Sequence, residues 1–204
     1  MNENATVFVI DDDAAVRESL TLLLELEAFT VKSFDSAEAF LAANPSARRS
    51  CAIIDIRMTG MDGTQLQAEL LRRNIRLPII FLTGYGSIPL SVLSIKAGAV
   101  DFLTKPITGT SLLESVQAAL FDSERLSIQA QENQTASTLL ASLTEREREV
   151  MLLAVEGLSN KSIARQLGIS HRTVEIHKAR VLHKTGAETL IDLARIAEAS
   201  GSHP

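Results

Sequence analysis

The chain has 204 residues, enough for one large domain or two modest ones. Its 46% apolar and 22% charged content excludes a disordered or fibrous protein, and its net charge of −5 argues against a uniformly nucleic-acid-coating surface. A single cysteine, Cys51, makes no intrachain disulfide, the N-terminus lacks a basic stretch before a long apolar core, and no apolar run approaches the ~20 residues of a membrane helix. The expectation is a cytoplasmic protein with no membrane partner.

In chain order, the first run is TVFVI, which ends in three consecutive carboxylates, Asp11, Asp12 and Asp13. Asp13 stands where a helix begins and suits its N-cap. Val16, Leu20, Leu23 and Leu24 then recur with helical spacing. Further β-branched or aliphatic runs follow as FTVKSF, SCAIID, LPIIFLT and AVDFLT, with helix-like text between them. Cys51 lies inside the third run and reads as a small buried hydrophobe. Five strands alternating with five helices predict an α/β fold, a parallel sheet covered on both faces by right-handed crossovers.

Ligands of an open parallel sheet bind outside the carboxyl ends of its strands. Those ends carry Asp11 and Asp12 after strand 1, Asp55 after strand 3, Thr83 after strand 4 and Lys105 just past strand 5. Strand 2 ends in Ser33-Phe34-Asp35, ordinary turn and cap chemistry. Three clustered carboxylates raise one another's pKa unless a cation joins them. A hard divalent ion such as Mg²⁺ takes such oxygen ligands and keeps waters for a phosphate-bearing partner. Asp55 can then serve as a nucleophile forming an aspartyl phosphate, with Thr83 and Lys105 on the phosphoryl oxygens. Each residue alone reads as a cap or a solvated side chain, and the convergence of five carries the inference.

These residues resemble the receiver domain of bacterial two-component response regulators over residues ~5 to 120. The match rests on the acidic pair after strand 1, DIRMTGMDG around Asp55, LTG at Thr83, and AGAVDFLTKP through Lys105-Pro106. The resemblance implies a flavodoxin-like (βα)5 fold with Asp55 as phospho-acceptor. It also implies Mg²⁺ held by Asp11, Asp12, Asp55 and the Arg57 backbone carbonyl, and a cis Lys-Pro bond. Thr83 and Phe102 become a coupled switch pair and Lys105 the phosphate-binding lysine. Arg57 and Tyr85 occupy positions that tune dephosphorylation in such domains. Two departures stand out. Met58-Thr59 replaces the usual Met-Pro, which predicts a looser loop because proline fixes φ, and Ile107 follows Pro106 where Phe is common.

From Phe121 to about Ser142 the text turns polar and glutamine-rich, without Gly or Pro. The predicted organisation is a domain over 1–121, a linker over 122–142 with helical character, and a second domain over 143–204. That last part shows no strand pattern and reads as four short helices. Between Gly157 and Lys184 it concentrates six basic side chains against one acid, Glu175, so a basic cassette sits in an acidic chain. NKSIARQLGISHRTVEIHKARVLHK reads as helix, turn, helix, with Asn160 capping the first helix, Gly168 stopping it and Ser170 capping the second.

On a helical wheel Val174, Val181 and Leu182 form the buried stripe of that second helix. Arg172, Ile176, Ala179, Arg180 and His183 fall opposite, with Thr173 beside them. An exposed Ile between arginines fits a thymine methyl, with the arginines on base edges or phosphates. Lys178 lies nearer the buried stripe and suits a phosphate contact. His177 reads as half-buried packing. Lys161 and Asn160, at the start of the preceding helix, complete the candidate DNA-contact set.

Nearly all of residues 143 to 198 resembles the LuxR/NarL class of DNA-binding domain, on Thr144-Glu145-Arg146-Glu147, Gly157, Asn160, Ile163-Ala164, Leu167, Thr173-Val174 and His177. Glu175 departs from it where many members carry Lys. With this receiver type, the whole chain resembles the FixJ-type transcriptional regulators. The resemblance implies a non-enzymatic transcription factor that assists only its own phosphotransfer and dephosphorylation. A sensor histidine kinase, double-stranded DNA, a homodimer on phosphorylation and RNA polymerase are the implied partners.

Two rivals compete with that reading. A haloacid-dehalogenase-like phosphohydrolase also pairs Mg²⁺ with a nucleophilic Asp after strand 1, but Ala15 stands at the fifth position of its Asp-x-Asp-x-Thr/Val motif. It accounts for neither Asp55 nor the basic cassette. The other is a receiver whose C-terminal helices bind protein.

Overall fold

A computed structural model describes residues 5–44, 49–84 and 99–201. The predicted helix between the fourth and fifth strands, and Tyr85, lie outside the described residues. By its contacts the chain divides into two units, Met1–Ser127 and Ile128–Pro204, and each is described by itself.

The five apolar runs of the first unit form β1 Thr6–Ile10, β2 Thr30–Phe34, β3 Ser50–Asp55, β4 Ile79–Thr83 and β5 Asp101–Thr104. They pair in parallel in the order β2-β1-β3-β4-β5. The order reverses beside β1, so the ends of β1 and β3 flank the switch point where such sheets bind ligands. Every residue of the central β3 is buried, as its uninterrupted apolar text requires of a strand covered on both faces.

Strand pleating sorts alternate side chains into two cores. Val7, Val9, Cys51, Ile53, Ile80 and Leu82 face one core, which Leu20 and Leu24 of α1 Ala14–Leu26 help to close. Phe8, Ile10, Ala52, Ile54 and Phe81 face the other, with Phe40 of α2 Ala37–Ala43 and Leu66 and Leu70 of α3 Gly63–Arg72. Ile107 packs against the first core, so the replacement of the usual Phe is absorbed there.

The long helix α4 runs Gly109–Ala141. In the second unit, α5 Glu145–Val155, α6 Asn160–Leu167, α7 His171–Thr185 and α8 Leu190–Ala199 enclose two small cores. One centres on Leu140, Met151, Val181 and Leu193, and the other on Val150, Ile163 and Val174. Among the described residues, no helix is long and apolar enough to cross a membrane.

Candidate functional site

The first site is assembled at the carboxyl ends of the strands. Asp11 follows β1 directly, Asp55 is the last residue of β3, Thr83 the last of β4, and Lys105 the first residue past β5. Asp13 caps α1, accepting a hydrogen bond at Oδ1 from Ala15 N at 2.9 Å, as its position predicts. The triplet therefore splits: Asp13 serves the helix, while Asp11 and Asp12 face the site.

Ligand oxygens of Asp11, Asp12 and Asp55 all lie within 4.8 Å of one another, a pocket of carboxylates able to hold a metal ion. Lys105 Nζ sits 2.8 Å from Asp11 Oδ2 and 3.0 Å from Asp55 Oδ1. Asp11 is 1% and Asp55 7% exposed, so both carboxylates are largely removed from water. Burial pushes the Asp55 carboxyl above its ordinary range, and the Lys105 ammonium only partly offsets this. Burial also pulls Lys105 down, but its bonds to Asp11 and Asp55 prevail and hold it above the usual lysine value. The donor set is all oxygen, carboxylate-rich and poor in cations, which fits a hard divalent ion.

Thr83 is buried, and its carbonyl accepts a hydrogen bond from Lys105 N at 2.7 Å, so the hydroxyl and the ammonium ride on one strand pair. Phe102 stands beside Phe81 in register and packs half-buried against the second core. The Lys105–Pro106 peptide is cis. Arg57 is exposed in the loop after β3, two residues past Asp55.

That loop is not the loose segment the absence of proline predicts. Thr59 N and Thr59 Oγ1 both donate to Asp12 Oδ2, each at 2.9 Å. These bonds hold the Asp12 carboxyl below its usual range, the backbone donor contributing most. On the other side Met61 N donates to Glu38 Oε1 at 2.9 Å. Proline at 59 would offer neither donor, so Thr59 exchanges a fixed φ for two cross-links. Gly63, unremarked in the sequence, lets α3 begin directly beneath the acceptor loop. A Cβ there would sit 2.5 Å from the Asp55 carbonyl oxygen.

In the second unit the helix-turn-helix pair is α6 and α7. Gly168 ends α6 at φ 66 and Ser170 caps α7, accepting from Thr173 N, both as expected. The cap of α6 differs: Ser159 is the N-cap, accepting from Ser162 N, and Asn160 is the first helical residue. Ser159 has the extended backbone a cap requires, and Asn160 is thereby released to accept from Lys178 Nζ at 3.0 Å.

Along α7, Val174 and Val181 are buried and Leu182 is half-buried. Arg172, Ala179, Arg180 and His183 are exposed, as is Ile176, at 44%. Thr173, His177 and Lys178 are intermediate, and Lys161 is exposed at the start of α6. Glu175 lies 3.5 Å from His171 Nδ1. Thr144 and Glu147 form a capping box on α5, and Glu147 also accepts from Lys184 Nζ at 2.7 Å. Arg146 donates to the Leu167 carbonyl at the end of α6. Two of these signature residues, Arg146 and Glu147, therefore tie α5 to α6 and to α7.

Comparison with known proteins gives two family matches, the response regulator receiver domain over residues 7–117 and the bacterial regulatory proteins of the luxR family over 141–197. The chain is 42% identical over 199 residues to the transcriptional regulatory protein TdiR of Thauera aromatica, covering 98% of this chain and 88% of that one. It is 43% identical over 202 residues to the transcriptional regulatory protein FixJ of Rhizobium meliloti, covering 98% of each. Among solved structures it is similar to the response regulator StyR, at TM-score 0.78 and 39% identity over 96% of this chain and 98% of that one. Full-length FixJ from B. japonicum matches at TM-score 0.59 and 40% identity, over 99% and 100%.

Proposed function

The chain belongs to the two-component response regulators that join a receiver to a LuxR-family DNA-binding domain, and from that premise we propose that Asp55 is its phospho-acceptor and that phosphorylation there controls DNA binding. A receiver implies a kinase partner, and the LuxR-family domain implies DNA binding; the protein is a transcriptional regulator, not an enzyme acting on a separate substrate. The observation that carries the proposal is the Lys105 ammonium set 2.8 and 3.0 Å from two buried carboxylates at the sheet switch point.

In this mechanism a carboxylate oxygen of Asp55 attacks the phosphorus carried by a sensor histidine kinase, and the phosphohistidine nitrogen leaves. Lys105 turns its ammonium from Asp55 to a phosphoryl oxygen, and the Thr83 hydroxyl donates to another. Asp11, Asp12, Asp55 and the Arg57 carbonyl would hold Mg²⁺. Bound there, Mg²⁺ supplies positive charge against the phosphoryl oxygens. The residue pair Thr83 and Phe102 then passes the change to the surface of β5, where phosphorylated chains dimerise. The same side chains assist the return hydrolysis.

The DNA contacts are assigned to Asn160, Lys161, Arg172, Thr173, Ile176, Lys178 and Arg180. The half-exposed Ile176 between exposed arginines supports placing α7 in the major groove. Activation of transcription with RNA polymerase, in the cytoplasm, completes the reading. It is tested by size-exclusion chromatography and duplex binding with and without acetyl phosphate and Mg²⁺. Dimer formation and tighter, salt-sensitive binding on phosphorylation support it; identical behaviour in both states opposes it.

A further inference from the structure

We infer that Thr59 is a positioning residue for the metal site, orienting Asp12 through the two hydrogen bonds that its backbone N–H and hydroxyl donate to Asp12 Oδ2. The inference rests on the proposed metal role of Asp11, Asp12 and Asp55. Asp11 and Asp55 are buried and braced: Asp11 Oδ1 accepts from Asp13 N at 2.9 Å, and Lys105 grips both. Asp12 is exposed, and its carboxylate has no such enclosure. An unbraced exposed aspartate spreads over several rotamers. Two donors at 2.9 Å on one oxygen select one of them, in which an Asp12 oxygen stays within 4.8 Å of its two partners.

The same bonds tie the loop after β1, which carries Asp11 and Asp12, to the loop after β3, which carries Asp55 and Arg57. The second loop is anchored independently by Met61 N on Glu38 Oε1, and Gly60 between the anchors takes φ +82, where its missing Cβ avoids that carboxylate. Thr59 is thus held from its far side and presents its donors from a fixed position. Outer-shell partners of metal ligands act in this way, by holding the ligand before the ion arrives.

Mg²⁺ titration calorimetry on the full chain, beside thermal unfolding in EDTA and in Mg²⁺, tests this with Thr59→Ser and Thr59→Val. Serine keeps both donors and valine the backbone donor alone. The expected order of Mg²⁺ affinity is wild type equal to Ser, then Val, weaker by about tenfold. The unfolding midpoint in EDTA stays unchanged for Ser and Val, because the pair is exposed, while the gain on adding Mg²⁺ shrinks for Val. A Val variant binding Mg²⁺ as tightly as wild type, or more tightly, overturns the inference, as does an equal loss of stability with and without Mg²⁺. A wild-type chain that binds no Mg²⁺ overturns the metal reading itself, and the two failures are told apart by the wild-type titration.

Discussion

Lys105 Nζ lies 3.0 Å from Asp55 Oδ1 while the same ammonium lies 2.8 Å from Asp11 Oδ2. One cation therefore compensates two carboxylates that burial has stripped of water.

Removing that cation exposes the imbalance. Lys105→Met leaves two buried negative charges facing each other, and in EDTA at pH 7 the receiver loses about 2 kcal/mol, below the cost of breaking a fully enclosed pair because Lys105 is partly exposed. The sign follows from Asp55, whose folded pKa stands above its unfolded value. The folded state therefore binds its proton more tightly, and stability falls as pH rises from the unfolded pKa through the folded one. In Lys105→Met that fall steepens and the deficit shrinks in acid. Urea unfolding in EDTA at several pH values measures both.

The glycine beneath the acceptor loop gives a steric prediction. A Cβ at 63 would lie 2.5 Å from the Asp55 carbonyl oxygen and 3.1 Å from the Ile56 Cα, both backbone atoms. Gly63→Ala therefore shifts the end of β3, destabilises the receiver by about 1–3 kcal/mol and slows phosphorylation. Gly84→Ala, with nothing among the described residues within 4 Å of its Cβ, is the matched control for stability. Denaturant midpoints and acetyl phosphate labelling rates follow the two effects.

Lys184 and the Thr144 backbone hold the Glu147 carboxyl down to about 2 from an ordinary 4.5. A depressed folded pKa gives stability that is complete above pH 4.5 and is lost as pH falls toward 2. Glu147→Gln removes that slope. Calorimetric scans of the full chain between pH 6 and pH 2.5 should therefore show a steeper acid loss for wild type than for the variant.

On the DNA side, Arg180→Ala and Arg172→Ala each cost about 1–3 kcal/mol of operator binding if they reach bases, with relaxed base preference, or a salt slope reduced by about 1 if they reach phosphate. Ile176→Ala weakens binding only where a thymine methyl is present. Fluorescence anisotropy with duplexes at several salt concentrations separates these cases. An Arg180→Ala variant with unchanged affinity on every duplex contradicts the groove assignment.

What the sequence made legible was local chemistry. The positions of Asp55, Thr83 and Lys105 at the strand ends are legible because strand ends follow from apolar runs, and those of Asp13, Gly168 and Ser170 because caps follow from residue type at a boundary. In the sequence Thr59 registers only as a missing proline, since its partner Asp12 lies 47 residues away and no local pattern couples two loops. Gly63 stayed silent for a similar reason: a backbone-to-backbone approach leaves no residue-type signal at the other partner. The cap of α6 lies at Ser159, one position before Asn160, because Ser and Asn both cap well and only the extended backbone of Ser159 decides.

The most direct measurement is the intact mass of the wild type and of Asp55→Asn after acetyl phosphate and Mg²⁺. The expected result is a gain of about 80 Da, one phosphoryl group, on the wild type and none on Asp55→Asn. An equal gain on Asp55→Asn would contradict the assignment of Asp55 as the acceptor.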